Sequence, residues 1–390
     1  MLQRAAQSKS PGVREMPARR SLLLYADDPG AANYLAPLPA ALSAAGFLVE
    51  FLVAPALARY AADRQIACKV RNETSPPEAL LARSDGLVIG TSEDPRCFGH
   101  SLIATARRMG IPSLAVIDME VNAAGRFRGE SEDPLLHAPD FLAVPDSSCR
   151  DAFAKLGFPE SRMMVCGHPH YDLVRARREE LLTQDRRVIR QAVFPQAPTD
   201  RPIWLFLAEA IDQLNPAISY RSPDYTLSGR GGSDFRTAIV LEEVLDAAAV
   251  FYPKPYVVLR LHPKNLPEDF TAYANELGET SETGDPLPLV WAADLVIGMT
   301  TMLLLETYLL RRPHFAALPR AAERNWLVTT ATGLTPVAST RDELHHLVQT
   351  LSQSTEITPH PEEDAALPEV SKSTLVEWAS KNVLTQFSKI

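Results

Sequence analysis

Short apolar runs that alternate with helical segments constrain this 390-residue chain more than any other feature. Ser21–Ala26 is one such run, broken by Asp27-Asp28-Pro29-Gly30, and an Ala/Leu-rich helix follows as far as Gly46. Leu48–Val53, Gly86–Ile89, Ser113–Ile117, Phe141–Val144 and Met163–Cys166 repeat the pattern, with helical stretches such as Ser101–Met109 and Ser148–Leu156 between them. Runs that are apolar on both faces suit the strands of a buried parallel sheet, and the intervening helices cover it. From Val174 the character changes. Residues 175 to 201 are dense in Arg, Glu, Gln and Asp and end with Pro195 and Pro198, which predicts an exposed helix and a linker. A second series then begins: strand Pro202–Leu207, amphipathic helix Thr237–Phe251, and strands Tyr256–Leu261, Leu295–Ile297 and His314–Ala317.

The predicted organisation is a disordered basic tail (1–20), an α/β domain (21–178), a linker (179–201), a second α/β domain (202–368) and a terminal helix (369–390). In that last stretch Leu375, Trp378, Ala379 and Val383 recur at helical spacing, so the helix should dock back onto the body. The Pro- and Glu-rich segment 354–368 should loop over the surface. Two α/β domains joined once enclose a cleft, and open sheets of this kind bind ligands at the carboxyl ends of their strands. Candidate site residues therefore lie just after the apolar runs.

A net charge of −9 argues against a nucleic-acid footprint, which needs a basic face. The four cysteines are widely spaced and form no metal-ligand pattern, so a reduced, cytoplasmic setting is expected. No apolar stretch reaches the length of a membrane span, and residues 1 to 20 lack the apolar segment of a secretory signal. Peripheral membrane association and a homodimer are left open.

The chemistry-bearing positions follow the strands. Ala293 to Glu306 reads as a strand ending in Gly298, a hydroxyl turn of Thr300 and Thr301, then a helix start carrying Glu306, with Pro313 beyond. A helix start presents unpaired N–H groups and suits a phosphate, and a carboxylate suits a diol. Equally, the two threonines could simply cap the helix. Arg260, His262 and Lys264 surround one strand end, with Pro263 fixing the turn: an anion site, or a solvated basic edge. Ser228-Gly229-Arg230-Gly231-Gly232-Ser233 closes a long connection. Its glycines, notably Gly231, could let backbone amides approach a phosphate while Arg230 adds charge, or it could be a plain surface loop. Asp118 and Glu120 follow another strand, where paired carboxylates suit general acid–base work, and Glu93 and Asp94 follow its neighbour. Gly30 and Asn33, after the first strand, are candidate contacts in the same half of the cleft. The run Cys166-Gly167-His168-Pro169-His170-Tyr171-Asp172 invites a metal reading, but a Gly-Pro turn at a domain end is the simpler one, and no metal site is assigned.

These motifs, in this order, resemble bacterial two-domain sugar-nucleotide enzymes of the GT-B type. The likeness is to UDP-N-acetylglucosamine 2-epimerases and to the related polymer-building glycosyl- and glycerophosphotransferases. Three stretches carry it: Pro139-Asp140 through His168-Pro169 and Asp172; Arg260-Leu261-His262-Pro263; and Asp294 through Gly298, Glu306 and Pro313. The resemblance implies an α/β, GT-B-like fold of two Rossmann-like αβα domains, with an interdomain cleft and a C-terminal helix packing back. It implies a nucleotide-sugar donor on the second domain, with His262, Thr300 and Thr301 at the diphosphate and Glu306 at the ribose. The acceptor hydroxyl, on a glycan, lipid-linked or protein acceptor, would lie on the first domain with Gly30, Asn33 and Glu93. Asp118 or Glu120 would deprotonate it. Charge on the diphosphate would be met by Arg230, Gly231, Arg260, Lys264 and Gly298 in place of a metal or other cofactor. The chain departs from the epimerases in two places. Thr300-Thr301-Met302 stands where they have Ser-Gly-Gly, and Ile117-Asp118-Met119-Glu120 lacks the His of their His-x-Glu-Ala-Gly passage. The reading that follows is a metal-independent glycosyltransferase of surface-glycan or glycoconjugate synthesis. The epimerase activity and a non-catalytic nucleotide-sugar-binding role are its alternatives.

Overall fold

The computed structural model describes residues 20–211, 216–352, 367 and 372–384. The expected tail 1–20, apart from Arg20, and nearly all of the expected surface loop 354–368 lie outside the described residues. Among the described residues there are thirteen strands: β1 (Ser21–Ala26), β2 (Leu48–Val53), β3 (Lys69–Val70), β4 (Gly86–Gly90), β5 (Ser113–Val116), β6 (Phe141–Val144), β7 (Met163–Val165), β8 (Ile203–Leu207), β9 (Tyr256–Arg260), β10 (Glu279–Ser281), β11 (Leu295–Gly298), β12 (His314–Ala317) and β13 (Val337–Ala338). They form two parallel sheets, ordered β3-β2-β1-β4-β5-β6-β7 and β10-β9-β8-β11-β12-β13. Each sheet is wound outward from its middle, so each has a switch point: between β1 and β4 in the first, between β8 and β11 in the second. The protein thus has the two Rossmann-like units of the GT-B architecture.

Register in the sheets is pinned by one repeated device. An aspartate just before a strand accepts the amide of the first residue of the neighbouring strand. Asp85 takes Ser21 N at 2.8 Å, Asp140 takes Ser113 N at 2.9 Å, and Asp294 takes Ile203 N at 2.8 Å. Asp294 also receives Arg186 (2.9 Å) and Arg190 (2.6 Å) from the connecting segment, tying that segment to the second sheet. Two of these aspartates belong to the stretches that carry the family resemblance, and their visible work is structural.

Helix His170–Leu182 leaves the first sheet and packs on helix Met302–Leu309 of the second unit. The terminal helix Lys372–Ala379, extended to Leu384, returns to the first unit, where Leu375, Trp378, Ala379 and Val383 join the core around Leu22 and Leu24. Helix Arg236–Val250 departs from the expected amphipathic pattern. It is buried on nearly every face, including Arg236, Glu242 and Glu243, because the 220–235 segment and helix Arg341–Leu351 cover the side predicted to face solvent. All four cysteines are free thiols, and among the described residues no helix is long and apolar enough to cross a membrane.

Candidate functional site

The carboxyl ends of the two sheets meet across a cleft spanned by several contacts, among them Arg59 Nη2 to Glu282 Oε2 at 3.9 Å. Near its mouth, Lys264 Nζ lies 3.6 Å from Asp28 Oδ2. Deeper, Glu306 is fully buried and receives three donors from the first unit's side: Arg64 Nη1 at 3.0 Å, Arg64 Nη2 at 3.3 Å and His170 Nε2 at 3.0 Å. Arg64 caps the end of helix Ala58–Asp63, and His170 opens the helix that crosses between the sheets. Burial alone would push the Glu306 carboxyl up. The Arg64 charge, followed by His170, outweighs it and holds the group at about 2.

On the first unit, Asp28 leaves the end of β1 and accepts the Gly30 amide at 3.1 Å. Gly30 lies against Asp118, and a methyl group there would collide with Asp118 Oδ2. The two carboxylates thus flank one glycine. Asp118 is paired with the buried Arg126 at 2.8 Å, which also bonds Thr91 Oγ1 at 2.8 Å. Burial, and secondarily the Asp118 charge, raise the Asp28 carboxyl above its ordinary value, although Lys264 opposes them. Glu93 is half-buried beyond β4, near enough for its charge to act on Arg126. Glu120 is exposed and bonds the Ser148 hydroxyl. Asn33 is buried, its amide oxygen accepting the Tyr60 hydroxyl at 3.0 Å.

On the second unit, His262 is the most informative group. Its Nδ1 accepts the Lys264 amide at 3.2 Å, so the proton of the neutral ring sits on Nε2. Burial, then the Lys264 charge, lower its pKa to about 4, which makes it a neutral donor at physiological pH. Arg260 is buried and spends its guanidinium on Ser281 Oγ (2.8 Å) and the carbonyls of Thr283 (2.7 Å) and Gly284 (2.9 Å). Burial, and next the nearby Arg64, depress it to about 10.

Several of the expected contact groups are already engaged within the chain. In the Gly-rich segment, the amides of Ser228 and Gly229 bond Glu243, and that of Arg230 bonds Glu242. The Arg230 side chain pairs with Asp246 at 2.8 Å and Glu276 at 2.7 Å. Asp246 lies ten residues along the helix from Arg236, roughly 15 Å from its cleft end, and Gly231 stands in open space beside this cluster. Thr300 is not free either. Its amide (2.6 Å) and hydroxyl (2.9 Å) both donate to Glu209. Glu306, expected at a ribose, has both oxygens engaged by Arg64 and His170. Thr301 caps helix Met302–Leu309 without a side-chain bond, and Gly298 ends β11 against Leu304 and Leu207.

The residues unassigned from sequence are Asp28, Arg64, His170, Glu209 and Arg236. Asp28 and Glu209 each lie within two residues of a strand end at a switch point, so the rule that selected the other candidates would have found both. Arg64 gives no such signal. The His168–His170 motif holds no metal cluster, and none is found among the described residues. His168 stacks on Tyr171 (centroids at 4.8 Å) and meets Tyr34 at a tilt (4.5 Å), and His170 serves Glu306.

No protein-family model matches the sequence, and no match among curated proteins was found. Solved structures do match the fold. UDP-GlcNAc 2-epimerase from Methanocaldococcus jannaschii, in complex with UDP-GlcNAc and UDP, superposes with a TM-score of 0.60 at 12% identity, over 93% of this chain and 99% of that one. The UDP-GlcNAc 2-epimerase of Neisseria meningitidis gives 0.55 at 13% identity, over 95% and 100%. The wall teichoic acid polymerase TagF (H444N variant) gives 0.53 at 13%, over 95% and 90%. The shared property is the two-domain architecture from end to end.

Proposed function

We propose that the protein is a nucleotide-sugar-dependent glycosyltransferase of GT-B architecture. The observation that supports this most is the apposition, across one cleft, of a neutral imidazole donor and an ammonium on the second unit with a carboxylate pair on the first. His262 Nε2–H and Lys264 suit the charge that develops on a departing nucleoside diphosphate without a metal ion. Asp28, whose carboxyl is raised above its ordinary value by burial, is suited to take the proton from an acceptor hydroxyl. Asp118, anchored by Arg126, holds the acceptor side in shape. Glu120, exposed and bonded by the Ser148 hydroxyl, is the alternative choice for the base. The structures of similar fold handle UDP-GlcNAc or build a wall polymer, which fits a sugar-nucleotide donor and a surface-glycan or glycoconjugate product.

The test is product analysis by NMR with a panel of nucleotide sugars and candidate acceptors. Free nucleoside diphosphate with the sugar on an acceptor is expected, and Asp28→Asn should lower kcat at least a hundredfold. Epimerised sugar without transfer would show an epimerase instead. Saturable binding with no turnover, together with an Asp28→Asn variant that retains cellular function, would show a binding protein.

A further inference from the structure

The switch point of the second sheet, between β8 and β11, is where an open parallel sheet most readily takes a ligand. In this protein the crevice is filled by the chain's own carboxylate. Glu209 stands two residues past β8 and Thr300 two residues past β11. Glu209 Oε1 accepts both the amide and the hydroxyl of Thr300, and Oε2 accepts Arg236 Nη1. Arg236 is 2% exposed and Glu209 8%. Arg236 also bonds Glu323, which is fully buried and takes Arg320 at 2.7 Å. An amide, a hydroxyl and a guanidinium converging on one pair of oxygens is the donor set that recognises a phosphate. Burying a carboxylate and a guanidinium here costs desolvation that an apolar pair of similar volume would avoid.

We infer that Glu209 is an internal stand-in for a ligand's diphosphate. A diphosphate binds Thr300 and Arg236 only by displacing this carboxylate, so Glu209 gates the site. The inference rests on the nucleotide-sugar reading for the identity of the natural ligand, but the gate itself concerns any diphosphate. An anion placed where the carboxylate now sits meets the same three donors. Two charges on the ligand compete better than one, so the gate favours diphosphates over monophosphates.

The experiment is calorimetric titration of inorganic pyrophosphate, orthophosphate and UDP-N-acetylglucosamine into the wild-type chain and the Glu209→Gln and Glu209→Ala variants. Circular dichroism and melting confirm that each is folded. Glu209→Gln keeps the shape and an acceptor for Thr300 but loses the charge that holds Arg236. The expected result is at least tenfold tighter pyrophosphate binding in both variants, a smaller gain for orthophosphate, and a Thr300 amide resonance that shifts when pyrophosphate is added to the wild type. Unchanged or weaker pyrophosphate binding in the folded Gln variant, or no binding in any form, overturns the gate. A Thr300 resonance that stays fixed while pyrophosphate binds overturns it too. If pyrophosphate binding rises and no form binds the nucleotide sugar, the gate stands and the nucleotide-sugar reading falls. If the nucleotide sugar binds wild type and variants alike while pyrophosphate affinity is unchanged, the reading stands and the gate falls.

Discussion

His262, half-buried, and Glu306, fully buried, are titratable groups at the cleft, and their surroundings push them to opposite charge states. His262 loses its charge because burial and Lys264 both disfavour the imidazolium; Glu306 keeps its charge because Arg64 and His170 outweigh burial. For His262 the folded pKa of about 4 lies below the ordinary 6.5. The unfolded chain therefore binds more protons between these values, and the stability owed to a neutral His262 is complete above 6.5 and is lost as pH falls toward 4. A histidine-selective NMR titration should place its midpoint near 4, with the Nε2–H tautomer above it; a midpoint near 6.5 would remove the neutral-donor argument. Glu306 drops from 4.5 to about 2 on folding. Its contribution is present above 4.5 and lost as pH falls toward 2, on the order of 3 kcal/mol. Urea unfolding from pH 5 to 2 should show this slope in the wild type. It should be missing in a double variant, Glu306→Leu with Arg64→Met, which removes both charges. Glu306→Ala alone strands the Arg64 guanidinium and should cost about 3–5 kcal/mol at neutral pH.

At the scale of elements, the central strands were legible because each is a short run apolar on both faces, as Leu22–Ala26 and Val257–Leu259 are. The edge strands β3, β10 and β13 were not. Lys69–Val70, Glu279–Ser281 and Val337–Ala338 are two or three residues long, and pairing alone defines them. The helix Arg236–Val250 was recognised as a helix, but its polar residues were misread as a solvent face. Glu242 and Glu243 instead bind loop amides, a tertiary arrangement with no local signature. Asp294 belongs to this scale too, since it links the connecting helix Arg186–Val193 to the start of β8. Asp294→Ala releases two guanidinium groups and the Ile203 amide and should destabilise the protein by about 2 kcal/mol in urea unfolding. A change within 0.5 kcal/mol would mean that the connection is held by packing alone.

For the molecule as a whole, the alternation of strands and helices and the polar break after Val174 were enough to anticipate two α/β units and a cleft. The contacts that span the cleft were not foreseeable. Arg64 and Glu306 lie 242 residues apart, and neither carries a mark of the other. The Thr300 turn was read as a candidate phosphate site or a helix cap, and its hydrogen-bond partner, Glu209, emerges only when β8 and β11 are neighbours. The chain's last described helix belongs to the first unit, so the first core needs residues from both ends of the sequence. Trp378→Ala should therefore lower stability by about 3–5 kcal/mol and increase hydrogen exchange in β1 and β4 more than in β8 and β11. Equal loosening of both sheets would contradict that assignment.

The central claim is that this cleft holds a nucleotide sugar between His262 and Lys264 on one side and Asp28 and Asp118 on the other. Calorimetric titration with a panel of nucleotide sugars, UDP-N-acetylglucosamine first, tests it most directly. The account predicts one saturable site for at least one of them, with affinity reduced tenfold or more by His262→Ala. Heats no larger than dilution across the whole panel, or a nucleotide sugar bound as tightly by His262→Ala as by the wild type, would contradict it.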